Sequence, residues 1–204
     1  MKLEAQKISF GYPKRGKKAV LQELDFSLES GERVGLSAPS GRGKTTLCRL
    51  LAGYEKPQQG KILLDGKNLG EVQGFCPVQM IWQHPELAVN PLLRLKKTLE
   101  EAGPVEEALL EKLSIRPQWL NRYPAELSGG ELQRFCIARA MQPQLRFLLC
   151  DEITAMLDLV TQAQIWDFLI RECKQRNLGL LIVSHNRGLL EKLCTRIVTL
   201  PDDL

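Results

Sequence analysis

Apolar positions along the chain fall into short runs separated by turn residues. Ala5–Phe10 and Val20–Leu28 read as strands on either side of a Pro/Gly/Lys turn. Glu29–Glu32 is a further turn, and Arg33–Ser37 a short apolar strand. That strand runs into Ala38-Pro39-Ser40-Gly41-Arg42-Gly43-Lys44-Thr45, after which Thr46–Ala52 has helical character and stops at Gly53. Lys61–Gly66 predicts a strand and turn, and Val78–Trp82 another strand. Over residues 84–128 the character changes: Pro85, Pro91, Pro104, Pro117 and Pro124 punctuate short amphipathic helices such as Val105–Leu113. This predicts a helical insertion. Beyond Gly130 the pattern predicts a helix to Met141, a strand at Arg146–Cys150, a helix at Val160–Lys174 and a strand at Leu178–Val183. A helix at Arg187–Leu193 and a strand at Arg196–Leu200 follow. Buried strands alternating with helices predict an α/β fold, with a largely parallel sheet covered on both faces. The expected organisation is one domain over residues 1–204 that carries the insertion.

Composition changes this picture little. Hydrophobic content of 44% and charged content of 25% are ordinary for a globular protein. A net charge of +4 is too small to argue for nucleic acid or a membrane surface, and the basic cluster Lys14–Lys18 reads as a solvated turn. The six cysteines form no C-x-x-C pair, and several lie in apolar runs, so buried reduced thiols in a cytosolic protein are expected. The charged, alternating start excludes a signal peptide. No apolar run approaches the roughly 18 residues a membrane span needs, so any membrane function requires another chain.

Chemistry enters at three places. The loop from Ala38 fits the phosphate-loop pattern G-x-x-x-x-G-K-[ST] everywhere but at its first position, where Ala38 replaces glycine. It lies between a strand and a helix. There Gly41 and Gly43 let the backbone wrap a phosphate, and the helix start adds partial positive charge. Ser40, Gly41, Arg42, Gly43, Lys44, Thr45 and Thr46 are therefore nucleotide-binding candidates, with Lys44 reaching the β- and γ-phosphates and Thr45 placing its hydroxyl on Mg²⁺. The apolar run Phe147–Cys150 ends in Asp151 and Glu152, which a strand would project from the sheet's C-terminal edge. Asp151 is the Mg²⁺ candidate, and Glu152 would polarise the attacking water. Third, Ser128, Gly129 and Gly130 precede a helix, a second anion-binding helix start.

With Leu127-Ser128-Gly129-Gly130-Glu131 in place, the sequence resembles the ATP-binding cassette (ABC) ATPase family, whose signature is LSGGQ; here Glu131 stands where glutamine is usual. The resemblance covers essentially the whole chain. It implies a P-loop NTPase fold, with a RecA-like parallel core, an N-terminal antiparallel β part and a helical signature subdomain. By resemblance Tyr12 stacks on adenine, Gln83 senses Mg²⁺ and contacts the membrane partner, Asp158 ends a loop crossing a dimer interface, and His185 is a switch on the γ-phosphate. Trp82–Pro91, Arg122–Glu126 before the signature, Gln133–Ala140 within it and Asp158–Ala163 are similar to the nickel and oligopeptide importer branch. Ile153 departs from the usual proline after the catalytic carboxylate, and Ala155-Met156 replace a Ser-Ala pair. The chain stops at Leu204, where similar importer ATPases continue, so no regulatory tail is expected.

The resemblance implies an ATP-hydrolysing subunit of an importer for nickel, other metal complexes or oligopeptides. Such a subunit lies on the cytoplasmic face of the membrane, with ATP and Mg²⁺ as cofactors. Its implied partners are a second ABC ATPase subunit, with a heterodimer favoured over a homodimer, then permease subunits and, indirectly, an extracytoplasmic binding protein. Nucleic acid is not among them. Two other readings stay open. One is a non-transport cassette protein, disfavoured by the single cassette, the missing heptad arm and the unpaired cysteines. The other is a degenerate, binding-only subunit, suggested by Ala38 and Ile153.

Overall fold

Five parallel strands carry the chemistry, and a separate antiparallel sheet flanks them. The computed structural model describes residues 1–12 and 19–200; the basic turn expected at Lys14–Lys18 lies outside the described residues. The strands are β1 (Lys2–Phe10), β2 (Leu21–Glu29), β3 (Arg33–Ser37), β4 (Gln59–Leu64), β5 (Lys67–Asn68), β6 (Val78–Ile81), β7 (Phe147–Asp151), β8 (Gly179–Val183) and β9 (Arg196–Thr199). The α-helices are α1 (Lys44–Leu51), α2 (Leu95–Glu100), α3 (Glu107–Lys112), α4 (Gly129–Ala140), α5 (Leu159–Arg176) and α6 (Arg187–Leu193). One sheet has the order β2-β1-β4-β5 and is antiparallel; the other has the order β6-β7-β8-β3-β9 and is parallel.

Every residue of β7 and β8 is buried, as expected of central strands covered on both faces. The two faces of the parallel sheet feed two cores. Leu148, Cys150, Leu180 and Ile182 pack with the helices α4 and α5. Phe147, Leu149, Leu181 and Val183 pack with α1 and the antiparallel sheet. This alternation follows from the period-2 geometry of the strands.

Residues 84–128 hold two short α-helices and three 3₁₀ turns, Pro85–Leu87, Pro117–Asn121 and Pro124–Glu126. Each turn opens with a proline, whose fixed φ suits a helix start. The helix expected over Val105–Leu113 is shorter, Glu107–Lys112, and none of its residues is fully buried. Leu95, Leu99, Leu113, Ile115 and Trp119 nevertheless join the core over α4 and α5. All six cysteines are free thiols; four are buried, whereas Cys76 and Cys194 are only half-buried. Among the described residues no helix is long and apolar enough to cross a membrane.

Candidate nucleotide site

The order β7-β8-β3 sets three chain segments side by side at the C-terminal edge of the sheet. β3 runs into the phosphate loop, β7 ends at Asp151, and β8 ends just before Ser184 and His185. Gly41 and Gly43 both take left-handed backbone conformations, with φ of +81° and +84°. Gly43 precedes α1 as its N-cap residue, and a Cβ there would come within 2.8 Å of Leu21 Cδ2. Any other residue there would be strained by the left-handed backbone and would have to displace Leu21 and Val20. Ala38 has no such need: among the described residues its φ is not positive, and its methyl group is buried in the core beside β3.

Lys44 is nearly buried, at 6% exposure. Its ammonium donates to the carbonyl oxygens of Ala38 at 2.7 Å and Pro39 at 3.1 Å. Burial lowers its pKa, and the charges of Glu152 and Asp151 oppose that shift. Asp151, at 4% exposure, is hydrogen-bonded to Thr45. Burial raises the pKa of this carboxyl above its ordinary value; the Thr45 hydrogen bond opposes the rise, Glu152 adds to it, and Lys44 and His185 oppose it. Glu152 also takes a left-handed conformation, φ +50°, and its amide donates to Val183 O. Its Oε1 lies 2.8 Å from His185 Nε2, which in turn is 3.5 Å from Lys44 Nζ. One nitrogen cannot donate to Glu152 and accept from Lys44 at once. The shorter contact assigns the proton to Nε2, and Lys44 uses its own protons on the loop carbonyls.

Ser128 caps α4: its Oγ accepts from Glu131 N at 3.3 Å, and Glu131 Oε2 accepts from Ser128 N at 2.8 Å. This reciprocal box explains how Glu131 serves in place of glutamine, since either side chain closes it. Asp158 caps α5, with Oδ1 accepting from the amides of Val160 and Thr161 at 3.0 Å each. These two helix starts touch. A Cβ on Gly130 would lie 3.3 Å from Thr161 Cγ2 and 3.4 Å from Leu157 Cδ2. Gln83, Ser128, Gly129, Gly130 and Asp158 line one cleft of about 630 Å³; Glu152 and His185 line an adjoining pocket of about 220 Å³, and Ile153 borders both. Contacts within one chain link Lys44, Thr45, Asp151, Glu152 and His185, and neither the Ser128 turn nor Gln83 shares in those contacts.

A family model described as ABC transporter matches residues 21–155. The chain belongs to the ABC transporter family. It is 39% identical over 203 residues to the nickel import ATP-binding protein NikE of Rhodospirillum rubrum, covering 91% of this chain and 73% of that protein. It is 33% identical over 215 residues to the nickel import system ATP-binding protein NikE of Staphylococcus aureus, covering 99% of this chain and 88% of that one. A solved ATP-binding subunit of an ABC transporter superposes with a TM-score of 0.84 at 25% identity, over 98% of this chain and 86% of that one. The dimeric cassette MJ0796, solved in a post-hydrolysis state with ADP and Pi, gives 0.84 at 22% identity, over 98% and 94%. This chain is an ATP-binding ATPase subunit of the family.

Within this ABC subunit, Tyr12 packs edge-on against Phe10, with ring centroids 5.0 Å apart. Ile153, the departure from proline, is buried in the core over α5, at 3% exposure. Two positioning features escaped the sequence reading. Trp166 Nε1 donates to Thr154 Oγ1 at 3.1 Å and anchors the loop after Glu152. Gln133, 1% exposed, donates to Trp82 O at 3.3 Å, tying α4 to the segment that carries Gln83. The partners are 12 and 51 positions apart, so local pattern shows the residues but not the contacts.

Proposed function

We propose that this chain hydrolyses ATP to drive nickel import through partner permeases, at the cytoplasmic face of the membrane. The observation that carries the reading is the junction of Lys44, Asp151, Glu152 and His185 at the mouth of a formed phosphate loop. Amides of the loop and the start of α1 would cradle the phosphates. Lys44 would trade its carbonyl partners for phosphate oxygens. Glu152, oriented by His185, would accept a proton from the water aligned on the γ-phosphate. The residue roles assigned to Tyr12, Gln83 and Asp158 rest on the family resemblance and are part of this proposal.

The oxygen donors present suit Mg²⁺. Thr45 and Asp151 are hydrogen-bonded to each other, and a buried carboxylate whose charge is poorly compensated favours a dication. Mg²⁺ is usually held by one or two carboxylates together with substrate phosphates and water, which this donor pair would suit. When bound, Mg²⁺ would neutralise charge on the phosphates.

The separation of the Ser128 turn from the Lys44 group supports a composite site. In it, Ser128, Gly129 and Gly130 of one cassette meet the nucleotide held by another. A second, different ATPase subunit is favoured as that partner, with an extracytoplasmic binding protein delivering substrate. Nickel as cargo rests on the names of the relatives at 39% and 33% identity. Uptake of radioactive nickel by cells carrying Glu152→Gln tests the assignment. Loss of nickel uptake with peptide uptake intact is the expected result, and unchanged nickel uptake would refute it.

A further inference from the structure

Arg134 is a buried cation, 9% exposed, on α4 one helical turn beyond Gly130. Its guanidinium reaches two other segments. Nη1 donates to Leu113 O at 2.8 Å, in the turn after α3, and Nη2 donates to Gln164 Oε1 at 2.7 Å, on α5. Residues four apart share a helix face, so Gly130 and Arg134 both face α5. Across from them, Thr161 and Gln164 are three apart on α5 and share a face in the same way. The Arg134–Gln164 bond therefore lies one turn below the contact between Gly130 and Thr161. Burial disfavours the charged guanidinium, and the carboxylates of Asp158 and Glu131 offset this only in part. Those two carboxylates are the ones that cap α5 and α4. At the far ends of the same helices Arg176 donates to Met141 O at 3.1 Å and Gln142 O at 2.5 Å, so α4 and α5 are tied top and bottom.

We propose that Arg134 is a positioning residue for ATP hydrolysis, fixing through Gln164 the distance between the Ser128–Gly130 turn and the Asp158 loop. The inference rests on the composite-site reading, because both features would serve a nucleotide held mainly by the partner cassette. Arg134 touches neither nucleotide nor water in this role. It sets the relative placement of two helix starts, and an error of about 1 Å in such a placement can cost roughly 100-fold in rate. A planar guanidinium with several fixed donors suits the task, since one lysine ammonium cannot reach both acceptors in the same geometry.

The test uses the full chain in its transporter complex, with ATPase rate measured against ATP concentration for the wild type and for Arg134→Met, Gln164→Leu, Gln164→Glu and Glu152→Gln. ATP affinity of each chain's own phosphate loop is measured separately with a fluorescent ATP analogue. Arg134→Met and Gln164→Leu are expected to lower kcat roughly 10–100-fold, with analogue affinity within about twofold of wild type. Gln164→Glu keeps the acceptor and should restore turnover. If Arg134→Met does not fold, the two Gln164 variants decide alone. The inference is overturned if Gln164→Leu turns over at the wild-type rate, if Gln164→Glu is as slow as Gln164→Leu, or if analogue affinity falls in step with rate. Full turnover by Glu152→Gln would instead overturn the catalytic reading beneath it.

Discussion

The Lys44 ammonium donates to the carbonyl of Ala38 at 2.7 Å, so the one residue that departs from the phosphate-loop pattern is bonded to the lysine at the loop's other end. The bond uses the backbone of residue 38 and is indifferent to its side chain. Ala38 does not take a left-handed conformation, so the freedom of glycine is not needed there. Its methyl group is buried at 7% exposure. Ala38→Gly should therefore leave ATP affinity within about threefold, under about 1 kcal/mol. It should also destabilise the chain by about 0.5–1 kcal/mol through added freedom of the unfolded chain. Equilibrium ATP binding and thermal melting check both, and tenfold tighter binding would contradict the argument.

The Glu152–His185 contact of 2.8 Å predicts two separable losses. Glu152→Gln removes the proton acceptor and should lower turnover roughly 10²–10⁴-fold while ATP still binds. His185→Ala leaves the carboxylate in place without its orienting donor, and a smaller loss of roughly 10²-fold is expected. Steady-state ATPase and binding assays on both variants measure the order. A His185→Ala loss larger than that of Glu152→Gln would show that the histidine does more than orient.

Local pattern carried most of the fold because its key strands are short, apolar and bounded by turn residues. β3 at Arg33–Ser37 and α6 at Arg187–Leu193 fall where the sequence places them. α3 starts two residues later and ends one residue earlier than the pattern predicts: it lies on the surface, only half-buries Leu109 and Leu110, and so shows a weak helical period. The phosphate loop and the acidic strand end are contiguous motifs and were legible. The placement of Arg134 was not. Its partners are 21 and 30 residues away, and nothing local marks an arginine as buried.

Glu131 closes the capping box at the start of α4, accepting from Ser128 N at 2.8 Å. Glu131→Gln keeps an acceptor in that position and should change stability by less than about 0.5 kcal/mol. Glu131→Ala removes it and should cost about 0.5–1.5 kcal/mol, the usual net worth of one hydrogen bond. Turnover should track the same order, because the box orients the Ser128–Gly130 turn. Chemical denaturation alongside ATPase assays measures both effects, and a slow Glu131→Gln would mean that the negative charge itself matters.

Asp151 is a site residue whose charge the folded chain tolerates poorly in the absence of ligands. Burial is the main cause of its raised pKa, and the charge of Glu152 adds to it, while the Thr45 hydrogen bond, Lys44 and His185 only partly offset it. A carboxyl with a folded pKa above its unfolded value binds protons more tightly when folded. Its ionisation therefore lowers stability as pH rises through the folded pKa. The penalty is absent below the ordinary aspartate value of 3.8 and complete above the raised folded value. Asp151→Asn removes the charge and can still accept from Thr45. The nucleotide-free variant should melt higher than wild type at pH 7, and the gap should close as pH falls towards the ordinary carboxylate range. Turnover with Mg-ATP should collapse in the same variant, since the proposed Mg²⁺ ligand is gone. Melting curves across pH, paired with ATPase assays, test both. A variant that melts lower than wild type at pH 7 would mean that Lys44 and His185 already balance the buried charge.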